Sequence, residues 1–370
     1  MTSTERVMAA LAHQVPDRIP TFDSFWAEFR ASCIAELGLA ADVDLADHFR
    51  IDIAIAVADE TPFPTRAATL RQDGDVTVAR DGWGRVLETR RGTFFYRELE
   101  TSIRGRADLD RAVFDTPALD RRYAGFLGQV AAARRAGRCV FCKTGGPFLR
   151  TTFFRGETDF LMDIARDPDF ARALADRVAD HIIQVGLESL RRGQLYDTGL
   201  WIYDDMAYND APLFSPAAFE RVFLPAYRRM VAAFKGAGAA KVVLHSDGNI
   251  GSILEMLVDA GIDGYNPVEP KAGMWIPDLK AKYGRQLALI GGMCNSHVLP
   301  QGPPGAIRDQ ARAIIEAGRD GGVMIGAHSI GPDIPVSHYL AYHQTVREEG
   351  VYGPASAPRP GGGMPPATGR

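Results

Sequence analysis

Two of the eight histidines stand directly past short apolar runs, each with polar groups close behind it. One is His245, in Lys241-Val242-Val243-Leu244-His245-Ser246-Asp247-Gly248-Asn249, and the other is His328, in Gly326-Ala327-His328-Ser329. A run this short and this apolar reads as a strand buried on both faces. Residues at i and i+2 of an extended segment leave the backbone on the same side, so the His245 imidazole and the Asp247 carboxylate can converge on one ion or one substrate group. With Glu269, which follows Asn266-Pro267-Val268, the residues His245, Asp247, Glu269 and His328 form an N/O ligand set for a divalent metal. Imidazoles favour zinc, and a vacant position would be left for a substrate. Asp204 and Asp205, after Trp201-Ile202-Tyr203, could supply a general acid whose pKa is raised by its neighbour. Each residue also has a plainer reading: Asp247 as a helix cap, His245 as a solvated loop residue, His328 as a core or substrate-binding imidazole, and one of the aspartates as a turn cap.

To bring these groups together the chain needs a ring of parallel strands. Strand-like runs occur at residues 18–22, 51–57, 138–143, 199–203, 241–244, 261–265, 286–290 and 322–325. In the second half helical patterns at 216–234, 250–259, 276–283, 304–317 and 336–346 alternate with them. Eight strands interleaved with helices predict an α/β chain with a closed (β/α)8 TIM barrel over residues 1–350. An open Rossmann-like sheet comes second, because no Gly-rich turn follows the first runs. Residues 2–12 read as an N-terminal helical extension capped by Ser3 or Thr4. The alternating stretch 75–99, broken by Asp81-Gly82-Trp83-Gly84, reads as an inserted β-hairpin over one mouth of the barrel. Past the strands stand Asp23, Asp59 with Glu60, Lys143, Asp204 with Asp205, His245 with Asp247, Asn266 with Glu269, Cys294 with Asn295, and His328. A barrel gathers such ends at one rim.

A net charge of −4 offers no basic field for nucleic acid. No apolar stretch approaches the length of a membrane span, and the first residues lack the order of a signal peptide, so a cytoplasmic protein is expected. Four cysteines are few for a disulfide framework. Cys139-Val140-Phe141-Cys142 has the spacing of a metal or redox pair, but it lies inside an apolar run and reads as two buried strand thiols. Residues 354–370 hold nine Gly or Pro, too many for a packed segment, and are expected to be disordered.

The segments Glu5-Arg6-Val7, Val15-Pro16-Asp17-Arg18-Ile19-Pro20, Phe154-Arg155-Gly156-Glu157, Asp204-Asp205, Ser215-Pro216, His245-Ser246-Asp247-Gly248-Asn249, Asn266-Pro267-Val268-Glu269 and Gly291-Gly292, in that order and spacing, resemble the uroporphyrinogen decarboxylase superfamily from about residue 4 to residue 347. The resemblance implies the barrel and one of two activities. Uroporphyrinogen decarboxylases need no cofactor and grip their polyanionic tetrapyrrole with an arginine-rich N-terminal loop. The matching stretch here, from Phe22 to Arg30, has one Arg and two acids. The corrinoid-dependent methyltransferases hold zinc through a His-x-Cys pair and a distant Cys. His245 matches the His, whereas Asp247 stands in place of the first Cys and His328 near the second. Asp and His would harden the site toward an oxygen substrate. The resemblance thus implies a zinc-assisted, corrinoid-dependent methyltransferase of the O-demethylase type, acting on a small methoxylated compound. A separate corrinoid protein would be its partner, and the chain would form a homodimer. A cofactor-free decarboxylase is the alternative, and a barrel that binds a tetrapyrrole or corrinoid without turnover is the third class.

Overall fold

Short β-branched runs flanked by glycine, proline and polar residues become strands throughout. The computed structural model describes residues 1–93 and 95–352, and the stretch 354–370 expected to be disordered lies outside the described residues. The described strands are β1 (Thr21–Phe25), β2 (Ile53–Val57), β3 (Ala68–Asp73), β4 (Val76–Arg80), β5 (Val86–Arg90), β6 (Tyr96–Glu100), β7 (Cys139–Gly145), β8 (Gly199–Tyr203), β9 (Lys241–His245), β10 (Gly264–Val268), β11 (Ala288–Gly292) and β12 (Val323–Ile330). Eight of them pair in parallel in the order β1-β12-β11-β10-β9-β8-β7-β2, with helices between them. This is a nearly closed (β/α)8 barrel, and the Rossmann alternative falls. Among the described residues no helix is long and apolar enough to cross a membrane.

The interior is a packed layer of Phe22, Ile53, Phe141, Trp201, Val243, Ile290 and Met324. Phe22 meets Trp201 edge-on at 4.9 Å. From below the layer is sealed by Val7, Ala10 and Leu11 of the N-terminal helix Ser3–Leu11. That helix starts one residue earlier than the pattern of hydroxyl residues suggests, because Thr2 is its cap. The Thr2 hydroxyl accepts the Glu5 N–H at 3.2 Å, and the Glu5 carboxylate accepts the Thr2 N–H at 2.8 Å. The Ser3 hydroxyl goes to Asp52 instead.

β1 and β2 share no ladder, so the ring has a seam. Asp52 closes its lower end. The Asp52 N–H donates to the Thr21 carbonyl at 3.1 Å, and the fully buried carboxylate accepts the Thr21 N–H at 2.9 Å and two bonds from the Arg18 guanidinium at 2.8 Å. Arg6 reaches it as well, at 2.8 Å.

Strands run further toward the mouth than their apolar runs. β10 begins at Gly264 rather than 261 and continues to Val268, and β12 reaches Ile330. Near the mouth the inward positions turn polar while the ladder continues, so the apolar pattern stops before the hydrogen bonding does. Asp23, Asn266 and His328 are therefore held within strands. The insertion is also larger than the expected hairpin. β3 to β6 form a four-stranded antiparallel sheet from Ala68 to Glu100. Its outer strands β3 and β6 are exposed along their whole length and so carry no buried-face pattern for sequence reading to find. Trp83 pins this sheet to the barrel, buried against Phe153 and Phe154 with ring centroids 5.5 and 5.4 Å away.

Removing the Asp52 carboxylate leaves the Arg18 guanidinium without a carboxylate and Arg6 with Asp17 alone, and it strips the Thr21 N–H of its acceptor at the seam. Asp52→Ala is expected to lower unfolding stability by about 3–5 kcal/mol in guanidinium denaturation. A loss below about 1 kcal/mol would mean the seam is held elsewhere.

Candidate active site

His245 is the last residue of β9 and faces into the mouth. Its Nδ1 lies 2.6 Å from Asn266 Oδ1, and the Asn266 amide nitrogen donates to the Ile290 carbonyl at 3.4 Å. Since that amide oxygen can only accept, Nδ1 carries the proton and Nε2 presents a lone pair. Tyr203 stacks on the ring, with centroids 4.1 Å apart at 16°, and prevents the imidazole from turning away.

Asp247 Oδ1 stands 3.5 Å from His245 Nε2 and 3.5 Å from His328 Nε2. It is buried and has no hydrogen-bond partner among the described residues. Asp205 Oδ1 lies 3.9 Å from His245 Nε2 and accepts the Asp247 N–H at 3.1 Å. Glu269 Oε2 accepts the Gly248 N–H at 2.7 Å. Glu269 Oε1 faces the Lys271 ammonium at 3.0 Å as an ion pair without hydrogen-bond geometry. Donor atoms of Asp205, His245 and Asp247 lie within 4.8 Å of one another, as do those of Asp247, Glu269 and His328. An unpartnered buried oxygen between two imidazoles and two further carboxylates fits a divalent cation, because a cation is what such a donor set lacks.

His328 comes to this place through a distortion of β12. One extra residue enters β12 between its pairings with Thr21 and Asp23, and His328 takes the left-handed conformation at φ 53°. The buried Asp23 carboxyl holds the distortion by accepting the Ala327 N–H at 2.6 Å and the Tyr339 hydroxyl at 3.1 Å. Gly326 permits the approach, since a Cβ there would lie 1.9 Å from the Phe22 carbonyl oxygen.

Burial governs the protonation of the group. It pushes Asp247 up to about 7, reinforced by the negative charges of Asp205 and Glu269. It pushes His328 down to about 4, with His245 adding to the fall, and lowers His245 too. At neutral pH both imidazoles are therefore uncharged and free to act as ligands.

Asp204 and Asp205, adjacent in sequence, do different work. Asp204 is fully buried and accepts the Phe148 N–H at 3.0 Å, the Leu149 N–H at 2.6 Å and the Tyr227 hydroxyl at 2.7 Å. It caps the helix Pro147–Arg155 from outside, because the residue at the cap position is Gly146. A Cβ on Gly146 would lie 2.3 Å from the Asp204 carboxyl carbon. Burial lifts Asp204 to about 6. The Asp205 side chain is 45% exposed at the mouth. It borders a cavity of about 550 Å³ beneath the inserted sheet, lined also by Arg85, Tyr96, Phe148, Phe153 and Tyr208.

Other strand-end groups take no part in these trios. Cys294 is buried 3.9 Å from His297 Nδ1. Glu60 accepts the Gly145 N–H at 2.6 Å and pairs with Arg150 at 2.5 Å. The Cys139 and Cys142 thiols are buried in β7, Cys142 pushed up to about 12. Sequence reasoning missed Tyr203 and Tyr339 as supports of the two histidines. Only the alternation of β8 could have flagged Tyr203, as the inward residue two places after Trp201.

Two measurements follow. A cation must displace the Asp247 proton, so affinity for added zinc, followed by calorimetry, is expected to rise as pH rises toward about 7, by up to about tenfold per unit, and to level off above. A flat profile would remove Asp247 from the ligand set. Asp204→Asn is expected to lose about 1–3 kcal/mol of stability, as its amide N–H meets backbone donors. Asp205→Asn is expected to stay within about 0.5 kcal/mol of the parent.

Residues 98–349 match the family model described as uroporphyrinogen decarboxylase (URO-D). Among solved structures, a methyltransferase from Methanosarcina mazei superposes with a TM-score of 0.70 at 18% identity, covering 94% of this chain and 99% of that one. At that identity the likeness is one of fold. The Penicillium canescens endo-1,4-beta-xylanase XylE reaches a TM-score of 0.37 at 12% identity, covering 63% of this chain and 80% of its own. No curated protein matches. With the family match extending over most of the barrel, this chain belongs to the uroporphyrinogen decarboxylase (URO-D) family.

Proposed function

We propose that the chain is a metal-assisted methyltransferase of the O-demethylase kind, taking a methyl group from a small methoxylated compound. The observation that carries this reading is the unpartnered Asp247 oxygen 3.5 Å from two neutral imidazoles. A decarboxylase that works without a cofactor has no use for that arrangement. A second observation weighs against a polyanionic tetrapyrrole. Arg30, the single Arg of the stretch after β1, spends its guanidinium on the Val43 and Ala41 carbonyls. The Methanosarcina mazei neighbour is a methyltransferase by its description, and methyl transfer is carried to this chain here as a proposal.

His245, Asp247, Glu269 and His328 would hold the cation, zinc by the chemistry of the donors, with Asp205 beside them. When bound, zinc supplies a Lewis acid for the ether oxygen. Asn266 and Tyr203 keep Nε2 of His245 aimed at the centre, and Asp23 does the same for His328 through β12. Asp205 is the acid within reach of a leaving oxygen, since the carboxyl of Asp204 is used up by three donors. A reduced corrinoid on a separate protein would supply the nucleophile that takes the methyl carbon. The oxygen keeps the electron pair of the broken bond and takes a proton delivered through Asp205.

The test is metal content followed by methyl transfer. Wild-type protein is expected to retain stoichiometric zinc, and His245→Ala and His328→Ala to lose both zinc and methylation of a reduced corrinoid protein in the presence of methoxylated compounds. Wild type that binds no zinc would remove this mechanism, and decarboxylation of uroporphyrinogen by metal-free protein would establish the decarboxylase instead.

A further inference from the structure

Lys143, in β7, is held beside Trp201 of β8 and points its ammonium at the barrel mouth. The Nζ lies 4.0 Å from the centroid of the Tyr203 ring, whose centroid is in turn 4.1 Å from that of His245. These separations put the ammonium no farther than about 8 Å from the imidazole, with both groups against the Tyr203 ring. Lys143 is half-buried, and among the described residues no carboxylate comes within ion-pair distance of it. The charged groups that act on it are Arg150, Glu60 and Asp205. None of them satisfies it. Glu60 is taken up by the Gly145 N–H and Arg150, and Asp205, whose Oδ1 accepts the Asp247 N–H, stands beyond ion-pair distance of Lys143. The other cations of the mouth are committed, Arg85 to Asp81 and Lys271 to Glu269.

A half-buried ammonium with spare donors and no counter-ion is costlier than one in water unless something brings it an anion. The surroundings agree, for burial lowers the Lys143 pKa in the absence of such a partner. We propose that Lys143 is a specificity-determining residue that binds the carboxylate of the substrate, so that the methyl donor is a small methoxylated carboxylic acid whose ether oxygen lies within about 8 Å of its acid group. The methoxy half of this proposal rests on the methyl-transfer reading, and the carboxylate half does not. A lysine that only braces Tyr203 needs no free anion and would treat an acid and its neutral amide alike.

That difference is the experiment. Methoxyacetate, methoxypropanoate and methoxybutanoate, each with its primary amide, are titrated into the full-length protein by calorimetry or ligand-observed NMR, alongside Lys143→Met and Lys143→Arg. In the wild type at least one acid is expected to bind about tenfold or more tightly than its amide, with the preference abolished in Lys143→Met and partly kept in Lys143→Arg, while zinc content is unchanged. Acid and amide binding equally to the wild type, no acid binding at all, or a preference that survives in Lys143→Met would each overturn the proposal. The wild-type comparison needs no variant to fold. An acid preference in a protein that neither holds zinc nor transfers methyl would uphold the carboxylate site and retire the methyl-transfer reading alone.

Discussion

The candidate centre exists because the last barrel strand is locked against the first at one height, and the lock is Asp23. Its carboxyl is buried away from water, which alone would favour expelling the charge, and burial lifts it to about 6. What keeps it inside is the pair of donors it finds there, the Ala327 N–H from β12 and the Tyr339 hydroxyl from the helix Val336–Glu349. Those bonds fix the backbone of β12 one residue before His328, where the chain adopts a conformation that side-chained residues enter at a cost of order 1–3 kcal/mol. The distortion swings His328 toward Asp247, and so an imidazole at the end of the barrel meets one from β9. Without that lock, the extra residue in β12 would be free to relax into register, and His328 would leave the mouth.

Around this geometry the charges are unbalanced in a way that suits a cation. Asp205, Asp247 and Glu269 share a small volume, and two of them carry an oxygen with no hydrogen bond among the described residues. Lys271 offsets part of this charge from one side. The chain meets the remaining repulsion by keeping Asp247 protonated up to about 7, while burial keeps both imidazoles neutral. Exchanging a proton for a metal ion is open to such a site near neutral pH, since there the carboxyl gives up its proton and becomes an anionic ligand. Donors of this kind are oxygen and imidazole nitrogen, and they prefer a harder partner than thiolates do.

Much of the barrel is legible in the sequence because parallel strands covered on both faces must be apolar, as in Val242-Val243-Leu244 and Ile53-Ala54-Ile55. What sequence reading loses is the upper end of β10 and β12. There Asn266 and His328 interrupt the apolar pattern although the ladder goes on, so the strands are read to 265 and 325 where they end at Val268 and Ile330. The inserted sheet is legible only as its inner strands, where Val78 and Val86 are buried, and not in β3 or β6, which have no buried face to leave a pattern. The residues able to bind metal can be picked out by type and spacing. Their supports are harder to find: Asp23 and Tyr339 act through contacts across hundreds of residues, which no local spacing encodes, and Tyr203 acts across a stack and is marked only by the alternation of β8.

The divergence of Asp204 and Asp205 shows how the mouth is organised. Successive residues at a strand end leave on opposite sides. Asp204 points outward and is spent on a helix cap, while Asp205 turns into the cavity. The same alternation splits the next strand end. Ser246, fully buried, accepts the Met206 N–H at 3.1 Å and ties the two loops together, whereas His245 and Asp247 on either side of it face the centre. These two strand ends thus each carry a polar residue that braces the scaffold next in sequence to one that faces the centre. The outward residues are bound by the geometry of helix and loop, so only the inward ones are free to vary with chemistry. It is at an inward position that Asp247 stands where related methyltransferases are expected to have Cys, and this change alters the donor without disturbing the bracing on which its position depends.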